Sequence, residues 1–278
     1  MALVEVNFIS KALKRTVTFN AIIPTDKFYP DDPRKDPKDA IPYKTLYLLH
    51  GAYGNYTDYL SGTRIQRWAE AQNLAVIMPS GENYFYLDQE DTQEYYGKFV
   101  GEELVEFTRL MFPLSHKRED TFIAGLSMGG YGALVNGLRY HETFSHIGLF
   151  SPGLLMDDLI NRTELIEGVG WPLSFWDRVF GTPDTLAGSD RDYCHTIETM
   201  LEQKIELPKL YLTIGRDDFL FDCNTKFRAF LDAHNVLYTY DEDEGAHEWD
   251  FWDRHLKSFL AWLPLEDPME GFSSGNVR

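Results

Sequence analysis

The sequence predicts an α/β protein with a mainly parallel sheet of about eight strands and helices on both faces. Two observations carry this prediction. Short apolar segments typical of buried strands alternate with longer segments whose apolar residues recur at helical spacing. One of these strand–helix pairs, residues 121–136, meets in the sharp turn Gly125-Leu126-Ser127-Met128-Gly129. The 278 residues, 44% of them hydrophobic, suffice for one large domain of this kind.

The first half of the chain supplies four predicted strands ahead of the serine turn. Residues 27–42 carry many charges and four prolines, and we expect an exposed loop there. Residues 64–72 and 101–111 have helical spacing, whereas residues 80–98 between them form a long predicted loop rich in tyrosine, phenylalanine and acids. A loop of that length in a compact domain is often functional. The four strands are predicted at 4–9, 16–23, 45–49 and 74–78.

The second half continues the alternation after the turn. Residues 154–206 are its least regular part and include Trp171, Phe175 and Trp176. Because no linker composition bounds them, we interpret residues 1–278 as a single domain in which about 154–206 form an inserted cap. Strands are predicted at 121–124, 146–150, 209–214 and 236–240, and helices at 224–234 and 249–262.

The turn at Ser127 matches G-x-S-x-G between a predicted strand and a predicted helix. This is the context of a nucleophile elbow, in which serine lies at the apex of a strained turn. A side chain at either glycine would collide with the adjoining strand or helix, and the helix N-terminus favours negative charge developing at the hydroxyl. The pattern alone is weak, because a glycine-rich turn between a strand and a helix also occurs in α/β proteins without this chemistry.

A serine hydroxyl needs an adjacent base, and the base needs an orienting carboxylate, to act as a nucleophile at neutral pH. On an α/β-hydrolase fold they follow in the order serine, acid, histidine, each after a later strand. Asp217 and Asp218 follow the strand at 209–214, and these residues alone leave open which aspartate is used. We predict His247 as the base, because the rest of the eight histidines precede the acid pair or lie in predicted helices.

The oxyanion of an acyl-transfer intermediate needs two backbone N–H donors. One comes from the residue after the nucleophile, Met128, and the other from the loop after the strand at 45–49. That loop begins His50-Gly51-Ala52-Tyr53. We predict Ala52 as its donor, with Tyr53 as the second choice and an ordinary glycine turn as the alternative interpretation.

Aromatic residues supply the predicted substrate pocket. They make up 15% of the chain, and Trp171, Phe175 and Trp176 fall in the cap segment, where insertions usually cover the pocket. We assign these three residues and Tyr53 to the pocket wall. Bulky rings there are expected to shorten the acyl channel, although rings packed in the cap's own core are the alternative.

Charge and cysteine content exclude several functional classes. The formal net charge of −18 disfavours nucleic acid and anionic membranes as partners. Cys194 and Cys223 make neither a disulfide framework nor a four-ligand zinc site, and we expect no metal and no cofactor. No segment is apolar enough to span a bilayer or to act as a signal peptide, so we expect a cytoplasmic protein. Export after removal of a secretion signal is the alternative.

Four separated segments resemble one family, in the right order. They are LLHGAYGNYTDYL, KREDTFIAGLSMGGYGAL, GRDDFL and GAHEWDFWDRHL. Together they resemble the putative-esterase (esterase D-like) family of α/β-hydrolases, and the bacterial tributyrin esterases most of all. The resemblance implies an α/β-hydrolase fold and a triad of Ser127, Asp218 and His247. It favours Asp218 over Asp217 because the family's acid stands in a Gly-x-x-Asp pattern followed by an apolar residue.

The resemblance further implies a metal-independent serine carboxylesterase that hydrolyses short-chain acyl esters through an acyl-enzyme. Relatives include feruloyl and acetylxylan esterases and S-formylglutathione hydrolases, so a carbohydrate esterase and a thioesterase are the alternative enzymes. A binding protein on the same fold is the rival from another class, but it would usually have lost part of the triad. We expect a small-molecule or saccharide ester as partner, no nucleic acid and no membrane, and a homo-oligomer is left open.

Overall fold

The computed structural model describes residues 2–25, 42–163, 166 and 170–265. All but two of the described strands join one eight-stranded sheet. The strands are β1 (Ala2–Ser10), β2 (Arg15–Ile23), β3 (Thr45–Leu49), β4 (Ala75–Pro79), β5 (Asp88–Gln89), β6 (Glu94–Tyr95), β7 (Thr121–Leu126), β8 (His146–Phe150), β9 (Lys209–Gly215) and β10 (Tyr238–Asp243).

The large sheet has the strand order β1-β2-β4-β3-β7-β8-β9-β10. β2 pairs antiparallel with both β1 and β4, and every other neighbouring pair is parallel. β5 and β6 pair with each other as a separate short hairpin. The predicted mainly parallel sheet of about eight strands is confirmed.

The helices cover both faces of this sheet. Among the described residues, no helix combines the length and the apolar composition that a bilayer-spanning helix needs. A π-helical turn, Phe99–Glu103, directly precedes the helix that begins at Leu104. The helices are α1 (Asp58–Gly62), α2 (Ile65–Ala71), α3 (Tyr96–Lys98), α4 (Leu104–Met111), α5 (Met128–Arg139), α6 (Met156–Asn161), α7 (Leu173–Phe180), α8 (Pro183–Leu186), α9 (Tyr193–Glu202), α10 (Phe221–Ala233) and α11 (Trp249–Trp262).

Strand β3 shows how the sheet separates two hydrophobic cores. Its Leu46 and Leu48 face one core, and its Tyr47 and Leu49 face the other, because successive side chains of a strand alternate. All four are fully buried, and burial of each such apolar side chain contributes about 2 kcal/mol. Helices α1, α2 and α11 pack on the Leu46 side, and the remaining long helices pack on the Tyr47 side.

Two loop predictions have different outcomes. The prediction of a structureless loop at 80–98 is wrong, because the β5–β6 hairpin lies there and α3 begins at Tyr96. Phe85 and Tyr86 in this segment have φ of 54° and 58°, a left-handed conformation that the sequence does not signal at non-glycine positions. The loop predicted at 27–42 lies, apart from Pro42, outside the described residues.

The segment between β8 and β9, where we predicted the cap, contains the helices α6 to α9. Helix α7 buries Trp176, Val179 and Phe180 against the core on the Tyr47 side of the sheet. These helices were not predicted individually, because segments of 4 to 10 residues give little periodicity to detect.

Candidate active site

The turn between β7 and α5 holds Ser127 in a conformation that few residues adopt. Its φ is 53° and its ψ is −118°, and such a backbone costs on the order of 1–3 kcal/mol. The Ser127 N–H donates to the Phe150 carbonyl, and the Ser127 carbonyl accepts from the Gly153 N–H, both at 2.9 Å. Strand β8 and the loop after it therefore hold the turn in place. Helix α5 begins at the next residue, so its N-terminus lies beside Ser127.

Gly125 and Gly129 are required by the close approach of backbone around this turn. A Cβ at residue 125 would lie 2.2 Å from the Gly129 carbonyl oxygen, and one at residue 129 would lie 2.3 Å from the Leu49 carbonyl oxygen. Both obstacles are backbone atoms of buried elements, which cannot rotate aside as a side chain can. The two glycines of G-x-S-x-G are thus explained by sterics.

Ser127, His247 and Asp218 form a continuous hydrogen-bonded series. The His247 Nε2 lies 2.9 Å from the Ser127 Oγ. The His247 Nδ1 lies 2.9 Å and 3.1 Å from the two carboxylate oxygens of Asp218. With its proton on Nδ1 and donated to the carboxylate, the imidazole presents a free Nε2 lone pair to the serine hydroxyl. In this arrangement His247 can take the proton of the Ser127 hydroxyl while the Ser127 Oγ attacks a substrate as the nucleophile.

Of the two adjacent aspartates, Asp218 is the one that contacts His247. Its side chain is fully buried, and its Oδ1 also accepts the Leu220 N–H at 2.9 Å. Asp217 is exposed, and its N–H donates to the Gly245 carbonyl at 3.0 Å. The backbone of the His247 loop thereby turns Asp217 outward and Asp218 inward.

Two aromatic rings flank the imidazole of His247. The Phe219 ring centroid lies 4.7 Å away, and the Trp252 ring meets the imidazole edge-on at 4.9 Å. The Trp252 Nε1–H donates to the Ser151 Oγ at 3.1 Å, and Ser151 itself has a left-handed φ of 43°. Sequence reasoning missed these three residues, because the sequence does not reveal in which direction a side chain of a helix or loop points.

Ala52, in the loop after β3, lines the same cavity as Ser127 and Met128. The Tyr53 N–H, our second choice for the oxyanion, already donates to the Asn83 Oδ1 at 2.8 Å. Ala52 therefore remains the predicted donor from this loop. Met128 is the first residue of α5, where a backbone N–H has no acceptor within the helix.

His50 braces this loop from within the protein. It is 1% exposed, its Nδ1 lies 2.7 Å from the Gly51 carbonyl oxygen, and its Nε2 accepts the Gly81 N–H at 2.8 Å. Burial lowers the pKa of His50. Because Nε2 accepts an N–H, the ring proton lies on Nδ1 and is donated to the Gly51 carbonyl. The Tyr86 hydroxyl donates to the His50 carbonyl at 3.1 Å. His50 thus connects the predicted oxyanion loop to the segment after β4.

A cavity of about 900 Å³ opens beside Ser127. Three of the four predicted pocket residues line it, namely Tyr53, Trp171 and Trp176. The fourth, Phe175, is not part of the described wall, and its ring packs on the Trp171 ring at a centroid distance of 4.4 Å. Sequence reasoning missed several lining residues: Phe85, Leu155, Phe219, Leu220, Trp249 and Trp252.

Comparison with known proteins identifies the family. The Esterase family model, described as "Putative esterase", matches residues 10–263. The chain belongs to this esterase family. It is 44% identical over 263 residues to the acetyl esterase of Caldicellulosiruptor saccharolyticus, and the match covers 95% of this chain and 98% of that protein.

Two solved structures of Staphylococcus aureus proteins are similar to this esterase. One is FphF, a fluorophosphonate-binding serine hydrolase, with 28% sequence identity and a TM-score of 0.81. The other is the S-formylglutathione hydrolase FrmB, with 27% identity and a TM-score of 0.80. Each match covers 94% of this chain and 98% of the other. The predicted membership of the putative-esterase family and the predicted α/β-hydrolase fold are confirmed, and the chain is a carboxylic ester hydrolase.

Proposed function

We propose that this esterase hydrolyses short-chain acyl esters by a Ser127–His247–Asp218 triad, through an acyl-enzyme. The observation that carries the proposal is the series of hydrogen bonds from the Ser127 Oγ through both ring nitrogens of His247 to the buried carboxylate of Asp218. The hydroxyl end of this series faces a cavity large enough for a small ester.

In the acylation step, the Ser127 Oγ attacks the ester carbonyl carbon while the His247 Nε2 takes the hydroxyl proton. The carbonyl π-electron pair moves to oxygen, and the backbone N–H groups of Ala52 and Met128 stabilise that oxyanion. When the tetrahedral intermediate collapses, the bond to the alcohol oxygen breaks and His247 returns its proton to the departing alkoxide. Asp218 keeps the imidazole in the required tautomer and stabilises its cationic form.

In the deacylation step, water takes the place of the alcohol. His247 accepts a proton from this water as its oxygen attacks the acyl carbon of the Ser127 ester. Collapse of the second intermediate releases the carboxylic acid and returns the proton to the Ser127 Oγ. The same two N–H groups stabilise the oxyanion in both steps, so the site needs no further group to complete the cycle.

The size of the acyl group is limited by aromatic rings. Trp176 and Phe85 line the cavity with a ring distance of 5.7 Å, and Trp171 packs on Trp176 at 5.3 Å. We propose that residues 154–206, which supply both tryptophans, act as a cap over the acyl site. Acetyl to butyryl groups should fit better than long chains, in keeping with the acetyl esterase that is similar to this chain.

A carbohydrate esterase is the second candidate, and one observation favours it. Tyr53 lines the cavity, is 71% exposed, and lies 5.3 Å from the Trp171 ring, so these two rings could stack on a sugar that carries the ester. An enzyme for polysaccharides would have to be exported, whereas the compartment that we propose is the cytoplasm.

Replacement of Ser127 tests the proposed function. Initial rates on p-nitrophenyl acetate, butyrate and palmitate are measured for the wild type and for Ser127→Ala. We expect the wild type to prefer the two short esters, and the variant to lose on the order of 10⁴-fold or more in kcat with its fold intact by circular dichroism. A variant that keeps more than about a hundredth of wild-type kcat would contradict the assignment of the nucleophile.

A further inference from the structure

Besides the catalytic imidazole of His247, two carboxylates of the described chain line the cavity wall. Asp58 and Glu248 line the cavity, and no lysine or arginine of the described ranges does so. Most of the remaining wall is apolar, and seven of its residues are aromatic: Tyr53, Phe85, Trp171, Trp176, Phe219, Trp249 and Trp252. A ligand in this cavity therefore meets negative charge and aromatic rings.

Neither carboxylate has a cationic partner within the part of the chain that the structure describes. The Asp58 Oδ1 accepts the Asn55 N–H at 3.1 Å. The Glu248 Oε1 accepts the Ala246 N–H at 3.4 Å. An amide donor satisfies a carboxylate oxygen but does not cancel its charge, so the negative potential of both groups reaches into the cavity.

The rest of the molecule reinforces this potential. The formal net charge of the chain is −18, and a surplus of one sign raises the local concentration of oppositely charged ligands and lowers that of like-charged ones. An anion that enters an apolar cavity also loses hydration with no basic group to replace it. An aromatic ring that presents its face to the ligand acts in the same direction, because the ring quadrupole attracts cations and repels anions at that face.

We infer that this site selects esters by charge, accepting neutral and cationic substrates and disfavouring those with a carboxylate on the acyl or leaving group. Asp58 and Glu248 are the specificity-determining residues. The inference rests on the proposed serine esterase function. It predicts that glutathione thioesters are poor substrates, since glutathione carries two carboxylates and one ammonium group and is therefore an anion. Although this enzyme is similar in structure to the S-formylglutathione hydrolase FrmB, we therefore do not expect it to prefer glutathione thioesters.

The expected effect follows from Coulomb's law. One unit charge about 8 Å from a ligand charge, at an effective dielectric constant of about 40, changes a binding constant about fivefold. Two such charges on one wall, partly screened by salt, should change kcat/KM for a singly charged ester by about tenfold or more relative to a neutral ester of the same shape.

The test uses three aryl acetates with the same acyl group. They are 4-tert-butylphenyl acetate, the isosteric 4-acetoxyphenyltrimethylammonium ion and 4-acetoxybenzoate. Each kcat/KM is divided by the rate constant of the imidazole-catalysed reaction of that ester, which removes differences in leaving-group reactivity. A second pair, S-acetylglutathione and the uncharged S-acetyl-N-acetylcysteamine, applies the same comparison to thioesters. We expect the normalised values to fall from cation to neutral ester to anion, with about tenfold or more between neutral and anionic esters.

The variants assign the effect to the two residues. Asp58→Asn with Glu248→Gln should narrow the neutral-to-anionic ratio by about fivefold or more. The matched control, Asp250→Asn with Glu202→Gln, removes two exposed charges that do not line the cavity and should leave the ratio nearly unchanged. If the double variant does not fold, the single variants Asp58→Asn and Glu248→Gln take its place, and each should narrow the neutral-to-anionic ratio by about twofold or more.

Equal normalised rates for the three acetates would overturn the inference. The inference would also be overturned if the control variant narrowed the neutral-to-anionic ratio as much as the cavity variant does. The selectivity would then come from the net charge of the whole protein and not from Asp58 and Glu248. If the wild type hydrolysed none of these esters in a Ser127-dependent manner, the proposed function itself would fail, and that result is distinct from a loss of charge selectivity.

Discussion

Two neighbouring aspartates show how much of this site depends on single residues. Asp218 is buried against His247, whereas Asp217 is exposed and contributes its backbone N–H to the loop that carries His247. The chain order predicted that one acid would follow β9, but only the resemblance to the esterase family favoured the second. The residues alone could not decide, because the direction of each side chain depends on the hydrogen bond between Asp217 and Gly245.

Substitution of the two aspartates should separate their roles. Asp218→Asn should lower kcat by at least about 10²-fold, because an amide can hold the imidazole in the wrong tautomer. Asp217→Asn keeps the backbone N–H and should change kcat by less than about tenfold. Steady-state kinetics on p-nitrophenyl acetate give both values. The reverse pattern would show that the contact seen in the structure is not the one used in the reaction.

At the scale of elements, the strands were more predictable than the segments between them. The bounds of β3 and β8 match the predicted strands, because fully buried strands are continuous apolar segments. The segment 80–98 was not predicted correctly, since its fold depends on contacts such as the Asn83 side chain with the Tyr53 backbone. The contacts of Phe219 and Trp252 with His247 were not predicted either, because they too form only in the folded chain.

The elbow formed by β7 and α5 should tolerate no side chain at Gly129. Gly129→Ala places a methyl group 2.3 Å from the Leu49 carbonyl oxygen, so we expect the elbow to distort and the protein to lose several kcal/mol of stability, about 3 or more. Gly153→Ala is the matched control, because its nearest neighbour would lie 3.5 Å away and its φ is not in the left-handed region. Urea unfolding of both variants measures the difference, and an equal loss of stability would refute the steric account.

At the scale of the whole molecule, one sheet separates two cores and carries the site at the ends of its strands. Ser127, Asp218 and His247 follow β7, β9 and β10 respectively. Because these strands are parallel and lie in one half of the sheet, their following loops meet at one edge. This explains why the order of motifs along the chain indicated which loops meet, although it could not indicate the wall of the cavity.

The stability of the whole molecule should fall on mild acidification, in part through His146. This ring is 6% exposed and bonds to the Ser145 hydroxyl. Burial, aided by the nearby Lys209, lowers the pKa of His146 from 6.5 to about 4. Between those values the unfolded chain binds a proton that the folded protein does not bind, so the free energy of unfolding decreases as pH falls.

The His146→Gln variant isolates this contribution. From about pH 7 to about pH 5, the wild type should lose about 2 kcal/mol more of its free energy of unfolding than the variant does. Urea titrations at several pH values provide the comparison, in which the carboxylates of both proteins titrate alike. Parallel curves for the two proteins would show that His146 accepts its proton as readily in the folded state as in the unfolded state.

The most direct test of the central claim is covalent trapping of the nucleophile. The wild-type protein is treated with one equivalent of an alkyl fluorophosphonate, assayed on p-nitrophenyl acetate, and digested for peptide mass spectrometry. Because an activated serine displaces fluoride to give a stable phosphonyl ester, we expect loss of activity in proportion to labelling, with the label on Ser127 and none on Ser127→Ala. Labelling at another residue with loss of activity, or full activity after stoichiometric labelling of Ser127, would contradict the account.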